Sequence, residues 1–156
     1  MGTNRGKQFE KKFANDFLKI ENSSLDRLYD VTSGYKSISQ ISDFIGYIYP
    51  NVFYLECKTH KGNTFPLANL TQYEKLLPKV GIKGVRVGMI LWMIEHDVIV
   101  YIPISSIKKM KEDGKKSFNI KMLKENTYRI IEIPSVKKRV FLDADYSVLK
   151  NLKEEE

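Results

Sequence analysis

The sequence predicts an α/β fold in which helices flank a mixed β-sheet, and three observations support this class. Helical and strand patterns follow each other in the order helix, strands, helix, strands, helix. Residues 86–94, RVGMILWMI, are a nearly continuous apolar run of strand length, typical of a central strand covered on both faces. Two further strand patterns flank Tyr49-Pro50-Asn51, where proline favours a tight turn and hence a hairpin.

We expect one domain that spans residues 1–156. The chain has 156 residues, of which 42% are hydrophobic, and this is enough to bury one core. The sequence contains no internal repeat, linker or low-complexity segment that would divide it, and it ends in the acidic tail Glu154 to Glu156.

The first predicted element is an amphipathic helix over residues 3–18. Phe9, Phe13 and Phe17 recur at a spacing of four residues, which places them on one face. This face is predicted to pack on the core.

The pattern is weaker between this helix and the hairpin. We expect a loop at 21–26, a short strand at 27–31 (RLYDV) and a polar segment at 32–41. The two hairpin strands are then predicted at 42–48 and 52–59.

The second half of the chain is predicted to complete the sheet. Residues 60–69 contain Gly and Pro and are expected to form a loop. Asn69 followed by Gln72 resembles a capping box, which predicts a helix that ends near Lys79. The remaining expected elements are strands at 86–94 and 98–102, a helix from Ser105 to Lys111 ended by Gly114, an edge strand at 128–133 closed by Pro134, and a helix at 142–152.

Composition narrows the classes of partner and cofactor. A net charge of +7 favours a polyanion, of which nucleic acid is the commonest and an anionic membrane surface the rival. One cysteine and two separated histidines exclude a disulfide framework and a Cys/His zinc site, so any metal must be held by oxygen. We expect no nucleotide cofactor, because the glycine spacings match no nucleotide-binding motif. We also expect a cytoplasmic protein, because no stretch is long and apolar enough to span a bilayer.

Charged residues enter the second hairpin strand, where a core is expected. Side chains alternate across a strand, so Glu56 and Lys58 share one face. If the turn is centred between Tyr49 and Pro50, Asp43 lies opposite Glu56, and a turn one residue later places Asp43 opposite Lys58. Both registers predict a cluster of two acids and one amine.

Such a cluster is suited to a hard divalent cation. Two close carboxylates repel each other, and burying them unpaired is costly, so a compensating cation is expected. Mg²⁺ prefers oxygen ligands, which Asp43, Glu56 and the Cys57 carbonyl would supply. The ion would polarise a phosphodiester and activate water, and Lys58 would position that water or neutralise the phosphate.

The residue pattern alone leaves a structural ion pair open. Glu-x-Lys is a short motif, and Glu10-Lys11-Lys12 also matches it. The predicted strand and the acid across the hairpin are what favour catalysis.

Several separated motifs resemble one nuclease family. Asp43 followed by Glu56-Cys57-Lys58 resembles the PD-(D/E)xK signature of restriction-endonuclease-like enzymes. More narrowly, NRG at Asn4 to Gly6, with Glu10 following, and ECKTHKGNTFPLANLTQ at Glu56 to Gln72 resemble RecU-type Holliday-junction resolvases.

The resemblance implies a homodimer that hydrolyses four-way DNA junctions with Mg²⁺ or Mn²⁺, each subunit cutting one strand. It implies that Asp43, Glu56 and Lys58 form the catalytic centre, that Glu10 approaches the same metal, and that Gln72 orients water or phosphate. The family's stalk, which enters the junction, is here shortened to about residues 32–41.

A basic surface around this centre is expected to contact DNA. The candidate contacts are Arg5, Lys7, Lys11, Lys36 and Lys61, which would bind phosphates, and Tyr35, which would stack on an unpaired base. Two alternatives remain open: a sequence-specific or repair endonuclease on the same core, and a non-catalytic basic DNA-binding module.

Overall fold

The protein is described by a computed structural model that covers residues 2–29, 31–33, 36–38 and 40–153. Within these residues the α-helices are α1 (Gly2–Phe17), α2 (Tyr73–Leu76), α3 (Ile104–Glu112) and α4 (Met122–Glu125). The strands are β1 (Ser23–Arg27), β2 (Val31–Ser33), β3 (Lys36–Ile38), β4 (Phe44–Ile48), β5 (Asn51–His60), β6 (Thr64–Pro66), β7 (Val85–Met93), β8 (Val98–Pro103), β9 (Ser117–Asn119), β10 (Ile131–Ile133), β11 (Ser135–Lys137) and β12 (Leu142–Ala144).

Six strands form the central sheet, in the order β1-β4-β5-β7-β8-β10. Strands β5 and β7 are parallel, and the other neighbours are antiparallel. This confirms the predicted mixed sheet. Three two-stranded ladders, β2-β3, β6-β9 and β11-β12, lie outside it.

Helix α1 covers one face of the sheet. Phe9, Phe13 and Phe17 are all buried, as the spacing predicts. The Phe9 ring lies 5.5 Å from the Trp92 ring of β7, and the Phe13 ring lies 4.9 Å from the Tyr146 ring near the C-terminal end. Burying each such ring contributes about 1.5–3 kcal/mol, so these contacts fix α1 on the sheet.

The other face of the sheet packs against α2 and α3. Strand β7 sends Met89 and Leu91 into this second core and Ile90 and Trp92 into the first. All four side chains are buried. The prediction of a central strand covered on both faces is therefore confirmed.

The predicted loop at 21–26 is wrong, because β1 begins at Ser23 and ends at Arg27. Asn22 lies between helix α1 and β1 with a φ of 57°, a left-handed conformation that Asn tolerates, and β1 begins at the next residue. Leu25 is the single apolar residue of β1, so no alternating pattern marked this strand.

The predicted helix at 142–152 is also wrong. Its first residues form β12, which pairs with β11, and a 3₁₀ helix follows from Tyr146 to Asn151. The Asp145 carboxylate accepts a hydrogen bond from the backbone N–H of Ser147 and so starts a new helix there. The buried carboxylate of Asp16 on α1 accepts a hydrogen bond from the backbone N–H of Ala144. These contacts override the helical pattern.

The region between β5 and β7 contains more short elements than predicted. The loop expected at 60–69 contains β6 and a 3₁₀ turn, Leu67–Asn69. Helix α2 is short, and a 3₁₀ turn, Leu77–Lys79, with Pro78 inside it, replaces the helix that was expected to reach Lys79. Gln72 precedes α2, but its side chain makes no capping hydrogen bond, so the capping box is wrong.

Helix α3 and the edge strand also differ at their bounds. The helix runs from Ile104 to Glu112, so Ser105 lies inside it instead of capping it. The final edge strand, β10, is shorter than the predicted residues 128–133. No helix among the residues covered is long and apolar enough to cross a membrane.

Candidate active site

The candidate site lies where β5 extends beyond β4. Strand β4 begins at Phe44, which is paired with Leu55, whereas β5 continues to His60 beside β7. Asp43 stands immediately before β4, and Ile48 pairs with Asn51 at the other end of the hairpin. The observed register is therefore the one that places Asp43 opposite Glu56.

Backbone N–H groups hold the carboxyl groups of Asp43 and Glu56 in place. The Asp43 N–H donates a hydrogen bond to Glu56 Oε1 at 2.9 Å, and the Cys57 N–H donates to Asp43 Oδ2 at 2.9 Å. Asp43 is 6% exposed and Glu56 3%. Two carboxyl groups are thus buried side by side at fixed positions.

Lys58 is the amine nearest to this pair. Its Nζ lies 3.7 Å from Glu56 Oε2, and its side chain is 30% exposed. Burial and the charge of Asp43 raise the pKa of Glu56 to about 8, although Lys58 acts in the opposite direction. At neutral pH the protonated form of Glu56 is therefore favoured.

Helix α1 brings Glu10 to the same cluster, and Arg27 joins it from the end of β1. Arg27 Nη2 lies 3.0 Å from Glu10 Oε2, and Nη1 lies 3.5 Å from Asp43 Oδ1. Burial and the charge of Asp43 raise the pKa of Glu10, and the Arg27 guanidinium partly offsets this. One guanidinium thus bridges two acids.

Arg27 is a site residue that the sequence analysis missed. In the structure it shares a face of β1 with Leu25, whose side chain lies near Gly46 as does that of Phe17 on α1. Leu25 and Arg27 are two residues apart, a spacing that would place both on one face of a strand. This signal was missed because residues 21–26 were assigned to a loop.

The cluster suits a hard cation in its donor chemistry. Among the residues covered by the structure, no three His, Cys, Asp or Glu side chains already stand in a metal-binding arrangement. The acids Glu10, Asp43 and Glu56 nevertheless supply only oxygen atoms. In a strand the N–H and C=O of one residue face the same edge, so the Cys57 carbonyl faces the edge where its N–H meets Asp43.

Gln72 contacts the backbone that leads into the site. It is 9% exposed, and its Nε2 donates a hydrogen bond at 2.8 Å to the carbonyl of Gln40, shortly before Asp43. Its predicted role with water or phosphate stays a prediction.

Two clefts are lined in part by α1 and contain several of the predicted DNA contacts. A larger one, of about 510 Å³, is lined by Asn4, Arg5, Gln8, Thr59, His60, Lys61 and Ile94. A smaller one, of about 240 Å³, is lined by Lys7, Glu10, Lys11, Ala14, Arg27 and Phe44. The Arg5 guanidinium also lies 5.9 Å from the centre of the Trp92 ring. Tyr35 and the side chain of Lys36 lie outside the part of the chain that is described.

The fold and the sequence both match junction resolvases. The chain is similar in structure to Hjc, a Holliday junction resolvase from the archaeal hyperthermophile Archaeoglobus fulgidus, with a TM-score of 0.54 and 14% identity; the match covers 74% of this chain and 88% of that one. This likeness shows a restriction-endonuclease-like fold. No curated protein matches the chain in sequence. The family model described as Recombination protein U matches residues 4–143. The chain therefore belongs to the RecU family of Holliday-junction resolvases.

Proposed function

We propose that this resolvase cleaves four-way DNA junctions by Mg²⁺-dependent hydrolysis at a centre formed by Asp43, Glu56 and Lys58. One observation carries the proposal: two carboxyl groups are buried together and each is held by a backbone hydrogen bond, with an amine beside them. In a purely structural pair, nearby positive charges would be expected to stabilise both carboxylates. Here burial and the charge of Asp43 instead raise the pKa of Glu56 to about 8. Divalent-metal dependence is a family property, and the identity of the metal as Mg²⁺, with Mn²⁺ as a substitute, is our proposal.

The proposed ligands are the carboxylates of Asp43, Glu56 and Glu10 and the carbonyl of Cys57. When bound, a divalent cation neutralises these acids, polarises the phosphodiester and favours loss of a proton from attacking water. The chain's own contribution is to hold the ligands in place. Asp43 is held by the N–H of Cys57, and Glu56 by the N–H of Asp43.

Lys58 is proposed to act on the phosphate and on the water. Its side chain is partly exposed and follows Glu56 on the same face of β5, so its ammonium group can meet a phosphate that approaches the acids. A cation at this point stabilises the negative charge that develops in the transition state. Gln72 is proposed to support the site by fixing the segment before Asp43.

The DNA is proposed to follow α1 across both clefts. Arg5 and Lys61 line the larger cleft, and Lys7 and Lys11 line the smaller one together with Glu10, so both clefts carry basic side chains that can bind phosphates. Lys36 and Tyr35 are proposed as further contacts from the shortened stalk. Because the two cut strands of a junction are related by symmetry, we propose a homodimer in which each subunit cuts one strand.

The test is cleavage of a mobile four-way junction with and without Mg²⁺ by wild type, Asp43→Asn, Glu56→Gln and Lys58→Ala. We expect each variant to lose at least about 100-fold in cleavage rate, and to keep junction binding when Ca²⁺ replaces Mg²⁺. Asp97→Asn is a matched control, because Asp97 is exposed and its φ of 50° also suits Asn. Wild type that binds junctions but never cuts them would identify a non-catalytic module.

A linear duplex of the same sequence distinguishes a junction resolvase from a sequence-specific or repair endonuclease. We expect the junction to be cut and the duplex to be spared at equal concentration. Sedimentation of the protein with and without the junction measures the proposed homodimer. Equal cutting of both substrates would favour the alternative nuclease.

A further inference from the structure

Arg27 occupies the same oxygen atoms that a metal ion would need. Its guanidinium lies 3.0 Å from Glu10 Oε2 and 3.5 Å from Asp43 Oδ1, and Nη1 also donates a hydrogen bond at 3.0 Å to the Asp43 carbonyl. One planar group thereby neutralises acids from α1 and from the start of β4. Lys58, in contrast, contacts Glu56.

These contacts compete with a cation that binds the same two oxygen atoms. Mg²⁺ binds carboxylate oxygens at about 2.0–2.1 Å, so an ion shared by Glu10 and Asp43 would lie within a few ångströms of the guanidinium. Two like charges at that separation repel strongly when water is largely excluded. A cation at these oxygen atoms therefore weakens the contact of Arg27 with at least one of the two acids.

The surroundings of Arg27 provide a place for the displaced guanidinium. Arg27 lines the smaller cleft together with Lys7 and Lys11, and its side chain is 29% exposed. The guanidinium carbon lies 5.4 Å from the centres of both the Tyr29 and Phe44 rings, and Tyr29 is itself exposed. The Phe44 ring also lines this cleft, so a guanidinium that moves into it can keep an aromatic contact.

We propose that Arg27 is a displaceable counter-ion, which neutralises Glu10 and Asp43 in the metal-free protein and is released by an incoming divalent cation into the smaller cleft, where it binds a DNA phosphate. This inference rests on the proposed metal centre and adds a thermodynamic linkage between metal binding and phosphate binding. Metal binding makes the cleft more attractive to a phosphate, and by reciprocity a bound phosphate makes the site more attractive to the metal. Arg27 is a positioning residue for the acids before it is a phosphate ligand.

The test is Mn²⁺ affinity, measured by electron paramagnetic resonance without DNA, for wild type, Arg27→Met and Arg27→Lys. Lysine keeps the charge but not the planar fork that spans two acids. We expect both variants to bind Mn²⁺ more tightly than wild type, by about 3- to 10-fold, with Arg27→Met the tighter. Arg139→Gln, which removes an exposed positive charge that lines neither cleft, should bind as wild type does. If Arg27→Lys binds Mn²⁺ no more tightly than wild type, displacement is wrong and Arg27 acts by charge alone.

A second measurement uses the wild-type chain, so it does not depend on the folding of a variant. The guanidinium N–H signals of Arg27, assigned by their loss in Arg27→Lys, should be protected from exchange in EDTA and lose that protection when Mg²⁺ is added. Unchanged protection at saturating Mg²⁺ overturns the proposal. If Asp43→Asn and wild type bind Mn²⁺ equally, the metal centre itself is wrong. If wild type binds Mn²⁺ and Asp43→Asn does not, but Arg27→Lys binds no more tightly than wild type, the metal centre stands and this inference alone fails.

Discussion

Glu56 is a carboxyl group that the backbone holds in place while burial disfavours its charge. It accepts a hydrogen bond from the Asp43 N–H, and Asp43 in turn accepts one from Cys57. Backbone donors fix both carboxyl groups without adding a positive charge. Such a site is preorganised for a metal ion, because these carboxyl groups are already held in place before the ion binds.

The raised pKa of Glu56 predicts a pH-dependent stability in the metal-free protein. The folded-state value of about 8 lies above the ordinary 4.5, so the folded chain keeps a proton that the unfolded chain has lost. The resulting stabilisation is complete below pH 4.5 and disappears as the pH rises through about 8. Urea unfolding in EDTA at about pH 5 and about pH 9 should therefore show a loss of stability for wild type.

Glu56→Gln is the comparison for this prediction. Glutamine cannot lose the proton, so the difference in unfolding free energy between the two pH values should shrink in this variant. Glu10, whose pKa burial also raises, acts with the same sign and leaves a residual difference. An undiminished difference in Glu56→Gln would mean that Glu56 is ionised throughout.

The sequence could predict Asp43, Glu56 and Lys58 because their relation follows from two local rules. Strand alternation puts Glu56 and Lys58 on one face, and the turn at Pro50 sets which residue lies opposite them. Arg27 could not be found in the same way. Its partners, Glu10 and Asp43, come from other elements, and only the packing of β1 and α1 on the sheet brings the three together.

At the scale of elements, β7 shows how closely the sheet is packed. A Cβ placed on Gly88 would lie 2.3 Å from Cε1 of Tyr101, a distance at which something must shift. Tyr101 is fully buried, and its ring lies 6.4 Å from that of Phe53, with the two rings edge-on. The ring of Tyr101 therefore occupies the space above Gly88.

Gly88→Ala should destabilise the protein by about 1–3 kcal/mol, because the ring has no free space into which to move. The melting temperature should fall by about 2–4 °C for each kcal/mol. Gly6→Ala is the matched control, because a Cβ at Gly6 meets no atom within 4 Å and Ala favours the helix. Calorimetry should show opposite signs for the two, and a neutral Gly88→Ala would mean that Tyr101 is free to repack.

Elements with a strong period of apolar residues were predictable from the sequence, and elements whose position depends on a single contact were not. The phenylalanine face of α1 and the apolar run of β7 were both recognised from residue spacing alone. Strand β12 was mistaken for a helix because its position depends on pairing with β11 and on the bond from the Ala144 N–H to Asp16. Asp16 is distant in sequence and β11 lies outside residues 142–152, so no pattern within that range announces the strand.

At the scale of the whole molecule, Arg86 ties the C-terminal end of the described chain to the sheet. It lies in β7 and is only 5% exposed, and it donates hydrogen bonds to the carbonyls of Lys153 at 2.7 Å and Leu152 at 3.1 Å. Arg129 donates to the same Lys153 carbonyl at 2.9 Å. Three segments distant in sequence thus meet around two carbonyl oxygens, and a buried charge depends on them.

A chain that ends at Asn151 should be less stable than wild type by about 2–4 kcal/mol, because Arg86 would be left buried without these two acceptors. Ending the chain at Lys153 is the control, since it keeps both oxygens and adds a terminal carboxylate beside Arg86 and Arg129. Arg86→Met in the shorter chain should recover part of the loss, because the unpaired charge is then gone. Urea unfolding measures all three, and equal stability of the two truncated chains would show that water satisfies Arg86 in place of the chain's own carbonyls.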